Sequence, residues 1–382
     1  MYAYEMKSVP FAHGKAADIG LPVDMFPEAV YDEKNGEEGG ALSVTIKQIA
    51  DLCGVSRGTV DRVLNKRGKV HPKTQELIEK TIAQLNYTPN IAGKALAARK
   101  RPLTIGVVLS SEGNPFFDDV IRGIEQAQQE LRDFGVRVKM RKLRGYVPKE
   151  QLHQITALKS EGMDGLILHP IFDPAIAKKI QELKEQNIFT VTVNTDIPQS
   201  ARLCYIGSDY EKGGVMAAGM ISLIMRGSAT LGVVKGADNI LGHQQRLEGF
   251  LRRLTEGTEN IAVADYAKTE DDDDIAYASV RSMMERNPGI DALYVVGAGM
   301  AGVCRALYSL GLHSHVAVVG FDSVPDTVEM MKKGIVRAVI CQHPFTQGYR
   351  AVKAAYDYLV GGVQPAPDYC LVQNEIVILE SL

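Results

Sequence analysis

From residue 102 onward, short apolar runs and longer two-faced segments take turns along the chain. "LTIGVVLS" precedes "PFFDDVIRGIEQAQQELRDFG", "VRVKMRKL" precedes "KEQLHQITALKSEG", and "DGLILHP" precedes "PAIAKKIQELKEQ". Farther on, "FTVTVN" precedes "EKGGVMAAGMISLIMRG" and "ATLGVVKG" precedes "HQQRLEGFLRRLTEG"; "IAVADYA", "ALYVVGAG" and "HVAVVGFD" continue the series. The short runs are rich in Val and Ile, as strands buried on both faces are, and the longer segments have helical spacing. The pattern predicts an α/β protein whose parallel sheets are covered by helices on both sides, with ligands bound at the carboxyl ends of the strands. Before residue 102 the rhythm differs. Val44 to about Ala98 reads as short helices with tight turns, and Arg99 to Pro102 as a linker. Residues 1–43 show no sustained period and are rich in Gly, Glu and Asp, which predicts a disordered leader.

Composition narrows the class. A chain of 382 residues can hold two or three compact units. No apolar run reaches the ~18 residues of a membrane span, and residues 1–20 lack a signal-peptide pattern, so the reading is cytoplasmic with no membrane partner. The five cysteines are scattered with no C-x-x-C pair, which predicts free thiols and no zinc site. The net charge of −3 is unevenly spread: −5 over residues 1–43, +8 over 44–101 and −6 over the remainder. A basic block on an acidic body points to a polyanionic partner for that block.

Within the block, "VTIKQIADLCGVSRGTVDRVLNKRG" places Ile46, Ile49, Ala50 and Cys53 on one face, followed by Gly54-Val55. Ser56 is an N-cap candidate for a second helix with Val60, Val63 and Leu64 inward. A helix, a glycine-containing turn and a second helix form the DNA-reading helix-turn-helix. Arg57, Gly58, Thr59 and Arg62 fall on the outer face, where an arginine can grip guanine O6 and N7 together.

Residues 44–101 resemble the headpiece of the LacI/GalR family of bacterial transcription regulators. The segment just quoted is similar to the family's opening pattern, and "VHPKTQELIEKTIAQLNYTPNIAGKALA" to its third helix and hinge. The resemblance implies DNA contacts from Thr45, Ser56, Arg57, Gly58, Thr59, Arg62, Asn65, Thr74, Asn90 and Leu96. It also implies a hinge helix, Asn90 to Ala97, that folds in the dimer on DNA, with Leu96 wedged into the minor groove. Gly58 departs from the family, leaving one base contact without a side chain, and Gly93 weakens the hinge helix when free.

Residues 102–382 resemble sugar-binding cores of the periplasmic-binding-protein type, through "LTIGVVLSSEGNPFFDDVIRGIEQA", "IGSDYEKGGVMAAG" and "VAVVGFDSVPD". The implied fold is an all-α helix-turn-helix headpiece joined to a two-lobed core of parallel sheets. The N-lobe is expected at about 102–197 and 343–365 and the C-lobe at about 199–341 and 367–382, with crossovers near 198, 342 and 366. The implied protein is a ligand-responsive regulator, expected to be a repressor, working as a homodimer on operator DNA. It has no cofactor and is not an enzyme. Its effector is a sugar or sugar derivative in the cleft between the lobes. Sugars call for planar polar groups and aromatic faces. Asn114, Phe116, Phe117, Asn194, Asp209, Arg246, Asp322 and Gln342 stand at or near strand carboxyl ends and match ligand-contacting positions of the family. His169 and Tyr266 are further candidates for the cleft lining.

"VVGAGMAGVCRAL" carries Gly297, Gly299 and Gly302 in G-x-G-x-x-G spacing, and Asp322 follows about twenty residues later. An NAD(H)-sensing Rossmann-type regulator is therefore the alternative. Against it, the motif falls in the sixth or seventh strand–helix unit, not the first. The turn also replaces an Asn-Asp pair usual in the family, so a polar ligand contact is missing and a bulkier or modified sugar is implied. "EDDDDI", Glu270 to Ile275, lacks the glycine of a calcium loop and reads as a solvated helix start, so no metal is expected. Finally, the leader is expected to lie outside the working protein. Val44 fits an internal GTG start, and Glu37-Glu38-Gly39-Gly40 can encode a ribosome-binding GGAGG upstream of it. N-terminal sequencing of the native protein checks this.

Overall fold

The computed structural model describes residues 44–64, 70–85, 87, 102–365 and 369–382. The leader, Asn65 and the hinge positions Asn90, Gly93 and Leu96 lie outside the described residues. The headpiece holds three helices, α1 (Ile46–Leu52), α2 (Arg57–Leu64) and α3 (Pro72–Gln84). Thr45 starts α1 with a reciprocal cap: its hydroxyl accepts from the Gln48 N–H, and its own N–H donates to the Gln48 side chain at 2.7 Å. Gly54 makes the turn into α2 at φ +63°, a conformation that glycine adopts without steric cost. Ile49, Val60 and Ile78, one from each helix, are fully buried and form the shared core. Ile46, Val63 and Leu64, expected inward, are half-buried at its edge.

The core is built from two six-stranded sheets. The N-lobe contains β1 (Leu103–Glu112), α4 (Phe116–Leu131), β2 (Val136–Arg144), α5 (Pro148–Ser160), β3 (Gly165–Leu168), α6 (Pro174–Glu185), β4 (Phe189–Val193) and β5 (Cys204–Ser208). The C-lobe contains α7 (Tyr210–Ile224), β6 (Ser228–Lys235), α8 (Leu241–Glu256), β7 (Asn260–Lys268), α9 (Asp273–Arg286), β8 (Ala292–Val295) and α10 (Met300–Ser309). It continues through β9 (Ala317–Phe321), α11 (Pro325–Lys332) and β10 (Val336–Cys341). Then α12 (Pro344–Tyr356) and β11 (Tyr369–Val372) return to the N-lobe, and β12 (Glu375–Val377) ends in the C-lobe. The strand orders are β11-β5-β4-β3-β1-β2 and β12-β10-β9-β8-β6-β7. Every pairing is parallel except the terminal β12 against β10. In each lobe the order reverses between the first and third strands (β1 and β3, β6 and β8), the switch point at which such sheets open a crevice.

Two crossovers differ from expectation. The chain leaves the N-lobe after Ser208 rather than near 198, because β5 pairs with β4 from Cys204 on. It crosses finally after Val372 rather than near 366, because β11 pairs with β5. The middle crossing lies at Gln342–His343, between β10 and α12. β5 was hard to see because its sequence, CYIGS, has a single Ile, a Gly and a Ser in place of the Val- and Ile-rich run that marks most of the other strands. No helix among the described residues is long and apolar enough to cross a membrane.

Helix α12 packs on α4 through glycines. A Cβ at Gly348 would overlap the Val120 carbonyl, and one at Gly123 the Phe345 carbonyl. Backbone cannot yield as a side-chain tip can. Gly348→Ala is therefore expected to destabilise the core by about 1–3 kcal/mol, read as a lower denaturant midpoint for the N-lobe. An unchanged midpoint would mean that the two helices can slide apart freely.

Candidate functional site

The strand ends of both lobes enclose a cavity of about 340 Å³, within the range of small-molecule sites. Seven of the eight predicted effector residues line it: Asn114, Phe116, Phe117, Asn194, Arg246, Asp322 and Gln342. Asp209 does not. Its carboxylate accepts the Lys212 N–H at 2.9 Å and caps α7, a local demand that any helix start makes. His169 lines the cavity, whereas Tyr266 is exposed, with the Lys235 ammonium 5.6 Å from its ring.

Arg246 is the central cation. Projecting from α8, it is only 4% exposed, and its Nη1 donates to the Val296 carbonyl at 2.7 Å. The guanidinium carbon lies 3.4 Å from the Phe321 ring centroid and 4.7 Å from that of Tyr210. Stacking of this kind fixes the plane of the fork. Its Nε has no partner. Asp322 follows β9 directly, at φ +62°. Its Oδ2 accepts from Gln342 Nε2 at 2.7 Å, and its Oδ1 has no partner. Burial pushes this carboxyl up to about 6, against the pull of Arg246. Gln342 in turn accepts from the Ser208 hydroxyl at 3.0 Å, so the Asp322 network runs through two lobe crossings. Unmade hydrogen bonds on buried polar groups are costly, and a donor and an acceptor left open in one cavity favour a ligand that fills both.

On the N-lobe side, Phe116 and Phe117 meet edge to face at 5.3 Å, and Phe117 meets His169 at 4.8 Å. Phe117 is thus both core and cleft wall. Burial, helped by the neighbouring His243, pushes the His169 imidazole down to about 3, so it is neutral, and its Nδ1 lacks a partner. Asn114 holds its loop by accepting the Phe116 N–H, and Asn194 leaves β4 at φ +66°. Among the lining residues that went unpredicted are Tyr146, Tyr210, His243 and Asp271. The signal for Asp271 was present in "EDDDDI", but only its neighbours form the solvated helix start. Asp272 caps α9, with Asp273 and Asp274 in the first turn, while Asp271 turns inward.

The three glycines of the GAGMAG turn have separate tasks at the end of β8, the eighth strand. Gly299 takes φ +99°, Gly297 faces Asp271 and His243, and Gly302 makes room for the Asp273 carbonyl. A phosphate would need the amides here. Two of them are already used: Ala298 N–H donates to Asp271 at 2.9 Å and Gly302 N–H to Asp273 at 2.8 Å. The carboxylates that occupy them would also repel a pyrophosphate, so geometry and charge both weigh against the nucleotide-binding reading.

In the headpiece, Arg57, Gly58 and Arg62 are exposed on α2, with Thr59 half-buried beside them. Arg62 Nε donates to the Gly58 carbonyl at 3.1 Å. Ser56 caps α2 by accepting the Thr59 N–H at 3.1 Å. Thr74 sits in the first turn of α3, half-buried.

Residues 45–90 match the family described as bacterial regulatory proteins, lacI family, and residues 105–362 match a periplasmic binding protein domain. A probable transcriptional repressor, ExuR, of Bacillus subtilis (strain 168) is 30% identical over 288 residues, covering 74% of this chain and 82% of that protein. The chain belongs to the LacI family of transcription regulators. The ribose operon repressor of Halalkalibacterium halodurans is 28% identical, covering 74% of this chain and 81% of its own length. Among solved structures, a glucose-galactose binding protein of Geobacillus stearothermophilus aligns at TM-score 0.69 and 24% identity, covering 74% of this chain and 99% of its own. That likeness is one of fold. A LacI-family headpiece on a two-sheet core makes this chain a DNA-binding transcription regulator.

Proposed function

We propose that the regulator is a cytoplasmic homodimeric repressor that binds operator DNA through Arg57, Thr59 and Arg62, and that a small carbohydrate in the cleft controls it without being chemically changed. The observation that carries the effector class is Arg246. It is a buried guanidinium, stacked on two aromatic rings, with an open Nε in the same cavity as the open Oδ1 of Asp322. Adjacent sugar hydroxyls both donate and accept, and so can satisfy the two together, while Phe116 offers a face to ring C–H groups. Because the N-lobes lead directly into the hinges, a change in lobe angle alters whether two headpieces fit two half-sites. Thermal-shift measurement against a panel of neutral sugars, sugar acids and NADH tests the class. At least one sugar is expected to raise the melting temperature of the core and to change operator affinity. Stabilisation by NADH alone would defeat this reading.

The raised Asp322 pKa adds a signed expectation. A ligand hydroxyl donating to the carboxylate favours its ionised form, so binding lowers its pKa and releases a proton near pH 6. Effector affinity should therefore fall as pH drops from 7 to 5, by up to about tenfold per unit below pH 6. Calorimetric titration across that range measures it, and Asp322→Asn should flatten the profile. A wild-type profile flat from 7 to 5 would place no titrating carboxylate against the ligand.

A further inference from the structure

The cleft edge of the C-lobe sheet runs β10, β9, β8, β6, β7, so Asp271 leaves an edge strand two places from the GAGMAG turn. At ~4.8 Å per strand, the β7 loop starts about 10 Å from that turn. Its carboxylate nevertheless reaches it. Glu270 and Asp271 take φ +48° and +59°, folding the loop back, and the Thr269 hydroxyl accepts the Asp271 N–H at 3.1 Å. Space is left by two glycines. A Cβ at Gly236 would stand 2.7 Å from Asp271 Oδ1, and one at Gly297 2.5 Å. Oδ1 then accepts the Ala298 N–H. The turn that lacks a polar side chain of its own thus has one delivered from the edge strand.

The other oxygen faces the opposite lobe. Asp271 Oδ2 accepts the Tyr146 hydroxyl at 2.6 Å, and Tyr146 lies in the N-lobe loop after β2. The same N-lobe loop is held again by Asn239 of the C-lobe, whose Nδ2 donates to the Tyr146 carbonyl at 2.9 Å. The Asn239 carbonyl accepts the N–H of Phe172, also in the N-lobe, at 2.9 Å. The Asp271 side chain is 6% exposed, with His243 Nε2 3.8 Å away. A hydrogen bond to a buried carboxylate is among the stronger ones available to a side chain.

We propose that Tyr146 and Asp271 form a side-chain tie between the two lobes across the cleft, and that through Asp271 the GAGMAG turn registers whether the lobes are together. The effector reading gives the tie its use, since a ligand entering or leaving must break it. The tie itself is tested without any ligand.

Hydrogen exchange followed by mass spectrometry on the ligand-free full-length protein reads it. Tyr146→Phe removes one hydroxyl in the N-lobe. It should speed exchange roughly tenfold in peptides covering residues 296–302 of the other lobe, with the β1 peptide 103–109 unchanged as a folding control. Asp271→Asn should do the reverse, speeding exchange at 143–147 in the N-lobe. The double variant should exceed neither single effect by more than measurement error. A role confined to one lobe would not move the other. Unchanged exchange at 296–302 in Tyr146→Phe, or at 143–147 in Asp271→Asn should the first variant precipitate, overturns the tie. Exchange results of either kind leave sugar binding to be judged by the thermal-shift panel, and a panel without a sugar hit leaves the tie standing.

Discussion

Arg246→Ala should abolish the effector response while operator binding without ligand persists. The side chain stands in the core cleft, so the headpiece has no stake in it. What is lost is the one buried arginine of the cavity, held in plane by Phe321 and Tyr210 and tied to the Val296 carbonyl. Its removal deprives a hydroxyl-bearing ligand of a charge-assisted donor and leaves buried acceptors unpaired, at roughly 3 kcal/mol, or about a hundredfold in affinity. Lysine should not restore it, because a point charge cannot reproduce a stacked planar fork. Operator anisotropy titrations with and without the stabilising sugar make the measurement, with circular dichroism as the folding control. An alanine variant that responds at unchanged sugar concentration would remove Arg246 from the ligand site.

How much of this was legible depends on how local each cause is. Apolar runs such as Ala317–Phe321, buried on both faces, announced parallel strands. The ends of those strands announced the cleft, and the resemblance to sugar-binding cores pointed to Arg246, Asp322 and Gln342 around it. Asp209 misled because an acid after a strand and before a helix serves equally as cap or ligand group. Its choice is settled by the Lys212 amide, which no spacing reveals. Asp271 was passed over for the opposite reason. Its neighbours in "EDDDD" have an ordinary task, whereas its own depends on two glycines from other strands and a tyrosine from the other lobe. Likewise Gly297, Gly299 and Gly302 spell a nucleotide motif although packing and a left-handed turn account for each of them singly.

Arg62→Ala should weaken binding to the cognate operator by roughly 1–3 kcal/mol and binding to random DNA much less. Arg62 lies in the last turn of α2, exposed, five residues after Arg57, with its Nε on the Gly58 carbonyl. That internal bond pre-orients the side chain, so less rotamer freedom is lost when it meets a guanine edge. Gly58 contributes by absence. A Cβ there would meet nothing nearer than the Ser56 hydroxyl, 3.7 Å away, so this exposed face of α2 has a gap between the two arginines, which on the proposed docking are expected to carry more of the discrimination. Glycine inside a helix costs about 1 kcal/mol relative to alanine, so Gly58→Ala should stabilise α2. If α2 needs that gap to sit deep in the groove, the same change weakens operator binding. Fluorescence anisotropy on cognate and shuffled duplexes at several salt concentrations separates the contributions. A base contact lowers cognate affinity selectively, whereas a phosphate contact lowers both affinities equally and reduces the salt slope by about one. Equal losses on the two duplexes for Arg62→Ala would therefore reassign it to the backbone and leave Arg57 as the arginine reading sequence from α2.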